Sequence, residues 1–384
     1  MWPFNQTQKR EEKSSRAHSI VALGHLGRAV WSPRDYAHLA AKGYASNPVV
    51  YRCVRMISES VAAVPLYIFD SGAQMDMHPL LQLLKYPNPR QPAASFFEAL
   101  VGHLLIAGNA YIEAAKTDDT VAELYALRPD RMKVIPGSEG WPQAYEYTVS
   151  GTAVRFRQDE GGVPPILHLT LFHPTNDHYG LAPLEAAGVP LDILNSASAW
   201  NKALLDNSAR PSGALVYAPS SGATLSREQF ERLKDELEQS FSGAANAGRP
   251  LLLEGGLDWR ALSLSPRDMD FNETRNAAAR DVALAFGVPP MLLGIPGDAT
   301  YANYSEANRA FWRQTVLPTL NRITQALAHW LQPAFGNVDL RYDTDQIDAL
   351  ANDRNSLWDR VAKADFLDDD EKRAAVGYAA RNAE

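Results

Sequence analysis

The sequence predicts an α+β fold in which helices flank a run of antiparallel strands. Residues 47–64 and 97–105 place apolar side chains at helical spacing. Between Ala110 and Phe172 the pattern changes to short strand-like segments, AYIEAA, ELYALR, MKVI, YEYTV, TAVRF and PILHLTLF. Helical spacing then returns over 183–209, 268–286 and 305–331. Runs of strand kept apart from runs of helix point to α+β rather than to an alternating parallel architecture.

The elements follow in order. Residues 1 to about 30 show no sustained period and read as a flexible arm, either partner-binding or plainly disordered. Asn47-Pro48 offers a cap and a proline at the first helical position, with Val50, Cys53, Val54, Ile57, Val61 and Val64 on one face. Cys53 on that apolar face reads as core rather than nucleophile. Pro65 stops the helix before the strand LYIF, and HPLLQLLKYPNPRQP is a short helix followed by a proline-punctuated loop. The next helix carries Phe97, Leu100, Val101, Leu104 and Leu105 and ends at Ala107-Gly108-Asn109. Pro136-Gly137 and Ser150-Gly151 punctuate the strands that follow. Gly180-Leu181-Ala182-Pro183 then leads into a helix to about Ala209, with Ile193, Ala197, Trp200 and Leu204 on one side.

A compact unit at about 211–266 interrupts the helices. It reads as the strand GALVYA and a helix with a Ser226–Gln229 capping box and a Leu225–Phe230 staple. Two strands turned at Gly255-Gly256 complete it. Next, a helix from about Asp268 to Phe286 carries Phe271, Arg275, Ala278, Val282 and Phe286 on one face. The loop Gly287–Asn303 follows, opened by Pro289-Pro290 and carrying Asp298 as its only charge. A long helix from about Ser305 sets Trp312, Val316, Leu320, Ile323, Leu327 and Leu331 in one stripe, with a kink expected at Pro318. The strand VDLRY and an acidic helical tail from Asp348 close the chain.

Composition narrows the function. The chain has 384 residues, 46% of them hydrophobic, enough for two or three cores. A net charge of −8 argues against a surface that grips phosphates throughout. One cysteine excludes an intramolecular disulfide and a cysteine-based zinc cluster, and fits a reducing compartment. No apolar run approaches the ~18 residues of a membrane span, and charges occupy the start where a signal peptide needs its apolar segment. These features predict a protein made in the cytoplasm.

Catalytic signals are weak. The phosphate-loop, dinucleotide, nucleophile-elbow, HExxH and CxxC motifs are all absent. The best catalytic candidate is His168, His173, Asp177 and His178, whose spacing does not put the imidazoles on one helix face. Solvated and packing histidines are the plainer reading. Asp343, Asp345 and Asp348 lack the glycine and glutamate of a calcium loop, and Asp368–Glu371 reads as a solvated helix face or turn. No basic cluster interleaved with aromatics is present, and residues 287–304 contain no Lys or Arg.

Several segments, taken in order, resemble the portal proteins of tailed bacteriophages and gene transfer agents. They are NPVVYRCVRMISESVAAVPLYIF, HPLLQLLKYPNP, FFEALVGHLLIAGNAYIE, ELYALRPDRMKV, HLTLFHPTNDHYGLAPLEAA and RNAAARDVALAFGVPPMLLG. The resemblance spans roughly Asn47 to Leu331. It implies a portal fold and a homo-oligomeric ring of about twelve subunits at one capsid vertex of a virion. Double-stranded DNA passes through such a ring without sequence-specific contacts. The partners it implies are the terminase large subunit, a head–tail adaptor and the major capsid protein, with no cofactor, no membrane and no catalysis.

The resemblance also divides the chain. After the arm at 1–30, residues 31–183 and 304–345 look like the wing, 184–210 and 267–287 like the stem, and 211–266 like the clip. Residues 288–303 look like the tunnel loop and 346–384 like a short crown. The implied DNA-channel residues are Val288, Pro289, Pro290, Met291, Leu292, Leu293, Ile295, Asp298 and Tyr301. Trp200, Lys202, Asp206, Arg275 and Arg280 fall in the stem, and Phe230, Glu254, Gly255, Gly256 and Trp259 in the clip interface. An acidic-to-neutral bore suits a conduit, because phosphate neutralisation dominates affinity for DNA. Packing of the loop's apolar residues between neighbouring subunits is the competing reading. A head–tail adaptor or other assembly protein remains the alternative at this level, and a metal-dependent hydrolase a remote one.

Overall fold

The computed structural model describes residue 33 and residues 35–70, 73–117, 120–159, 161–206, 213–217, 226–229, 231–232, 235, 257–261, 271–297, 301–344 and 346–378. The expected N-terminal arm lies outside them, as do Phe230, Glu254, Gly255, Gly256 and Asp298.

A short helix, α1 (Tyr36–His38), runs into a π-helical turn at Leu39–Tyr44. Helix α2 (Pro48–Ala62) starts at Asn47, whose side chain accepts from the Val49 and Val50 amides. Its buried face is Val50, Cys53, Val54, Ile57 and Val61, as the spacing predicts. Burial pushes the Cys53 thiol up to about 12, so it stays protonated and unreactive. Helix α3 (Pro79–Lys85) is capped by His78, whose Nδ1 accepts from the Leu80 amide at 3.2 Å. Helix α4 (Ala93–Ala107) packs on α2 and ends at Gly108 in the left-handed conformation.

The strands form two separate three-stranded sheets rather than one region. Strands β3 (Asn109–Thr117), β4 (Thr120–Leu127) and β8 (Ile166–Thr170) make one sheet, in the order β4-β3-β8. Strands β5 (Met132–Pro136), β6 (Pro142–Val149) and β7 (Thr152–Arg157) make the other. Tyr111, Leu127, Met132, Val134, Tyr145 and Ile166 form the apolar cluster between them. A third sheet pairs β1 (Leu66–Asp70) with the short β2 (Ala73–Gln74) and with β11 (Asp339–Tyr342). Chain segments some 270 residues apart thereby share one sheet.

The expected long helix from Pro183 is two helices, α5 (Pro183–Ala186) and α6 (Gly188–Asp206). Pro190 has no amide to give to Ala186, so the helix restarts beyond Ala187. Its buried stripe is Leu191, Leu194 and Ala197, whereas Ile193 is exposed. Three apolar residues within four positions left the stripe ambiguous. In the 211–266 unit, β9 (Gly213–Tyr217) pairs antiparallel with β10 (Leu257–Ala261). The expected Ser226–Gln229 capping box is present in both directions, at 2.9 and 3.2 Å.

Helix α7 (Phe271–Phe286) packs on α6 and α2 through Ala278, Ala279, Val282, Ala283 and Phe286. Small alanines let the neighbouring helix approach closely. The next helix starts at Tyr301, four residues before the expected Ser305. It runs as α8 (Tyr301–Phe311), a π turn (Trp312–Val316) and α9 (Leu317–Phe335). That turn is how the helix accommodates Pro318, which cannot donate to a carbonyl one turn earlier. Thr319 Oγ1 donates to the Thr315 carbonyl at 2.7 Å. Val316, Leu320, Ile323, Leu327 and Leu331 form the expected buried stripe. Helix α10 (Ala351–Ala362) and α11 (Asp369–Ala375) follow, and Asp368 with Glu371 forms a full capping box on α11. Among the described residues no helix is long and apolar enough to cross a membrane.

Candidate functional site

The segment that follows α7 is anchored at its root and again at Pro296. At its root Gly287 adopts φ +67°, a left-handed conformation that glycine tolerates. Thr315 Oγ1 donates to the Gly287 carbonyl at 2.6 Å, and a Cβ on Gly287 would lie 2.7 Å from that same oxygen. The Val288 amide donates to Ala283 at 2.9 Å, and Pro290–Leu293 forms a 3₁₀ turn. Further on, the Arg280 guanidinium, one turn and a half back along α7, donates to the Pro296 carbonyl. Gly297 sits beside the same group, where a Cβ would come within 2.8 Å of Arg280 Nη2.

These anchors sort the expected channel residues. Val288 is 2% exposed and belongs to the protomer's own core. Leu292, Leu293 and Ile295 pack partly against that core, and Pro289, Pro290 and Met291 are half-buried. Among the described residues 288–297, Gly294, Pro296 and Gly297 are exposed. Tyr301 opens α8, with its side chain outside the described residues. Sequence reasoning missed Arg280 as the loop's clamp, because the partner is a main-chain carbonyl that leaves no mark in the sequence.

On α6, Trp200 is half-buried and Lys202 pairs with Asp206 at 2.6 Å on an exposed face. Such a pair contributes about 0.3–0.5 kcal/mol. Arg275 and Arg280 are exposed on α7, and so is Leu284 at 77%, which lies off the buried stripe. In the 211–266 unit, Trp259 stands opposite Leu215 in the β9–β10 ladder.

The histidines do not assemble into a catalytic centre. His168 sits in β8, stacked on Tyr111 with ring centroids 4.2 Å apart. Asn109 Oδ1 accepts from the Gly180 amide at 2.8 Å and lies 3.0 Å from His168 Nε2. The carboxamide nitrogen of Asn109 donates to the Ala107 and Gly180 carbonyls. The oxygen assignment therefore makes His168 Nε2 the donor and leaves Nδ1 to accept from the Tyr145 hydroxyl at 3.4 Å. Burial, then the neighbouring His178, lowers the His168 pKa to about 3. The ring is a neutral structural link between the two sheets. His173 Nδ1 accepts from the Thr175 amide at 3.1 Å, and Asp177 is exposed. Among the described residues no three His, Cys, Asp or Glu are placed to hold a metal ion.

This link gives a pH prediction. The His103 pKa is also lowered, to about 4, chiefly by burial and then by Arg128. Both histidines take up protons more readily unfolded than folded, so stability is constant above the ordinary value near 6.5 and falls below it. Each contributes a loss of about 2 kcal/mol by pH 5. Urea unfolding at pH 7 and pH 5 measures this, and His168→Gln should flatten the dependence. An unchanged slope in that variant would contradict the neutral assignment.

A family model described as phage portal protein matches residues 48–377. Among solved structures, the neck of an empty gene transfer agent particle, computed with C6 symmetry, contains a chain 54% identical to this one. It aligns with TM-score 0.73 over 92% of this chain and 96% of that one. The neck of the native particle, computed with C12 symmetry, gives 54% identity and TM-score 0.70, covering 92% and 96%. An uncharacterized protein of Rickettsia bellii is 44% identical over 87% of each chain. The portal protein of Enterobacteria phage HK97 is 28% identical over 84% of this chain and 74% of its own.

Proposed function

Since this chain belongs to the phage portal protein family, we propose that it forms a DNA conduit at the capsid's portal vertex, with the loop between α7 and α8 at the constriction of the channel. The chain is a structural component of a virion neck, multimeric and non-enzymatic, in keeping with its family and with the gene transfer agent necks it matches. The loop assignment goes further. One observation carries it: a segment with no Lys or Arg of its own is tied at two points, by Thr315 at Gly287 and by Arg280 at Pro296. A conduit must touch DNA without holding it, and phosphate neutralisation is what holds DNA. A tied root keeps such a loop at a fixed position; its exposed positions 294, 296 and 297 carry no charged side chain of their own, and the one guanidinium beside them, that of Arg280, is turned onto the Pro296 carbonyl.

The remaining assignments follow the same division. Helices α6 and α7 act as the stem, and residues 31–183 with 304–345 act as the wing. The β9–β10 unit acts as the clip that meets the terminase large subunit and then the head–tail adaptor. Residues from 346 act as a short crown, and the wing meets the major capsid protein. Exposed Leu284 on α7 gives the stem an apolar contact for a neighbouring subunit. Twelve chains of charge −8 need such contacts to offset their repulsion. Deleting 211–266 should abolish capture of the terminase large subunit in a pull-down and leave the rest folded. Retained capture would remove the clip assignment.

A further inference from the structure

A cavity of about 650 Å³ opens where α10 lies beside the π turn and the start of α9, outside the segments assigned to the channel. Apolar Leu317, Leu350 and Leu357 line it together with three arginines, Arg313, Arg354 and Arg360. In a chain of net charge −8 that is a local reversal of sign. The single carboxylate in the lining, Asp353, is already shared by Arg309 at 3.1 Å and Arg313 at 3.7 Å. The longer of these contacts leaves Arg313 loosely held, with its side chain 60% exposed. Arg360 makes no ion pair among the described residues. The lining also carries Trp358, which is 42% exposed on a mostly polar helix and meets the Tyr378 ring at a tilt, with centroids 6.3 Å apart.

We propose that this cavity binds one unstacked nucleotide of a nucleic-acid strand. Arg313 and Arg360 take its phosphate, beside an Arg354 that already has a partner within the chain, and the open part of the Trp358 indole takes the face of its base. Guanidinium forks match phosphate oxygens, and base stacking on an aromatic side chain tolerates any sequence. The volume falls in the range of small-ligand sites, which admits a single nucleotide but not a duplex. The target is therefore a single-stranded stretch or a frayed DNA end. An acidic peptide would use the arginines and leave the indole idle, so the exposed Trp358 favours the nucleotide. The inference rests on the reading that this protein handles DNA.

The test is fluorescence anisotropy of a labelled, 5′-phosphorylated oligothymidylate added to the full-length assembled protein at several salt concentrations. Arg313→Gln with Arg360→Gln should weaken binding about tenfold or more and reduce the salt slope by about 1.4. Trp358→Leu should weaken it about tenfold with the slope unchanged. Asp353→Asn should tighten binding a few-fold, an effect that misfolding cannot imitate. The site is overturned if the parent protein does not bind the oligonucleotide, if the three variants match the parent, or if poly-glutamate binds there and the oligonucleotide cannot displace it. Electron microscopy of the same samples separates the two levels. Intact rings without binding remove this site and leave the portal reading, whereas failure of the parent protein to form rings removes the portal reading itself.

Discussion

Pro296→Lys leaves ring assembly intact and cuts the yield of DNA-filled particles by about tenfold or more. Pro296 is exposed, and the carbonyl that Arg280 holds is retained in the variant, so the loop's anchor survives. What changes is the charge. The parent loop has no Lys or Arg from 287 to 304, and the neighbouring Arg280 guanidinium is held by the Pro296 carbonyl rather than carried on the loop. In a ring with the C12 symmetry of the related neck, one substitution per chain places twelve ammonium groups at one height around the bore. Each phosphate neutralised there releases counterions and adds to retention, which turns a sliding contact into a grip. Pro296→Gln separates the charge from the loss of the proline and should package close to normally. Normal yield of filled particles with Pro296→Lys would remove this loop from the DNA path.

Gly180→Val gives the largest loss of stability, about 3–5 kcal/mol, a large share of what a domain of this kind has to lose. Gly108 and Gly180 pass each other backbone to backbone, and a Cβ on either would collide with the other's carbonyl. A Cβ on Gly180 would also lie 2.6 Å from the Leu171 amide nitrogen and 2.7 Å from its carbonyl oxygen. Gly108 must in addition hold φ +70° to end α4. The crossing is stitched by the Leu171 amide to the Gly108 carbonyl at 2.9 Å and by Asn109 to Gly180. All those atoms are main chain except Asn109, so no rotamer change can make room. Gly140→Ala, with φ +86° and nothing within 4 Å, serves as the control and should cost about 1 kcal/mol. Thermal melts of both variants measure the difference. A Gly180→Val protein that melts with the control would contradict the crossing.

That crossing shows what the sequence could and could not reveal. Local rules were readable: Asn47-Pro48 opened its helix, Ser226 and Gln229 formed their box, and Pro289-Pro290 ended α7 in a 3₁₀ turn. Alternation located the strands, but strand pairing is a long-range choice, so the split into two sheets was not visible. His78 went unnoticed as a cap because histidine is seldom one. Gly108 and Gly180 are two ordinary turn signals until the fold brings them together. At the candidate site, the charge-free loop and its apolar content were plain in the sequence. Which of those residues turn inward was not, since Val288 and Ile295 look alike until Val288 is found in the core and Ile295 half-buried at its edge. The roles of Thr315 and Arg280 depend on bonds to main-chain carbonyls, which no motif encodes.

The most direct test is an electron-microscopy reconstruction of the assembled protein, refined without imposed symmetry, in which the residues at the narrowest point of the channel are identified. The account predicts a closed ring whose constriction is formed by the α7–α8 loop around Gly294–Gly297, with the β9–β10 unit at one end. A constriction formed instead by the β9–β10 unit, or an assembly with no closed channel, would contradict it.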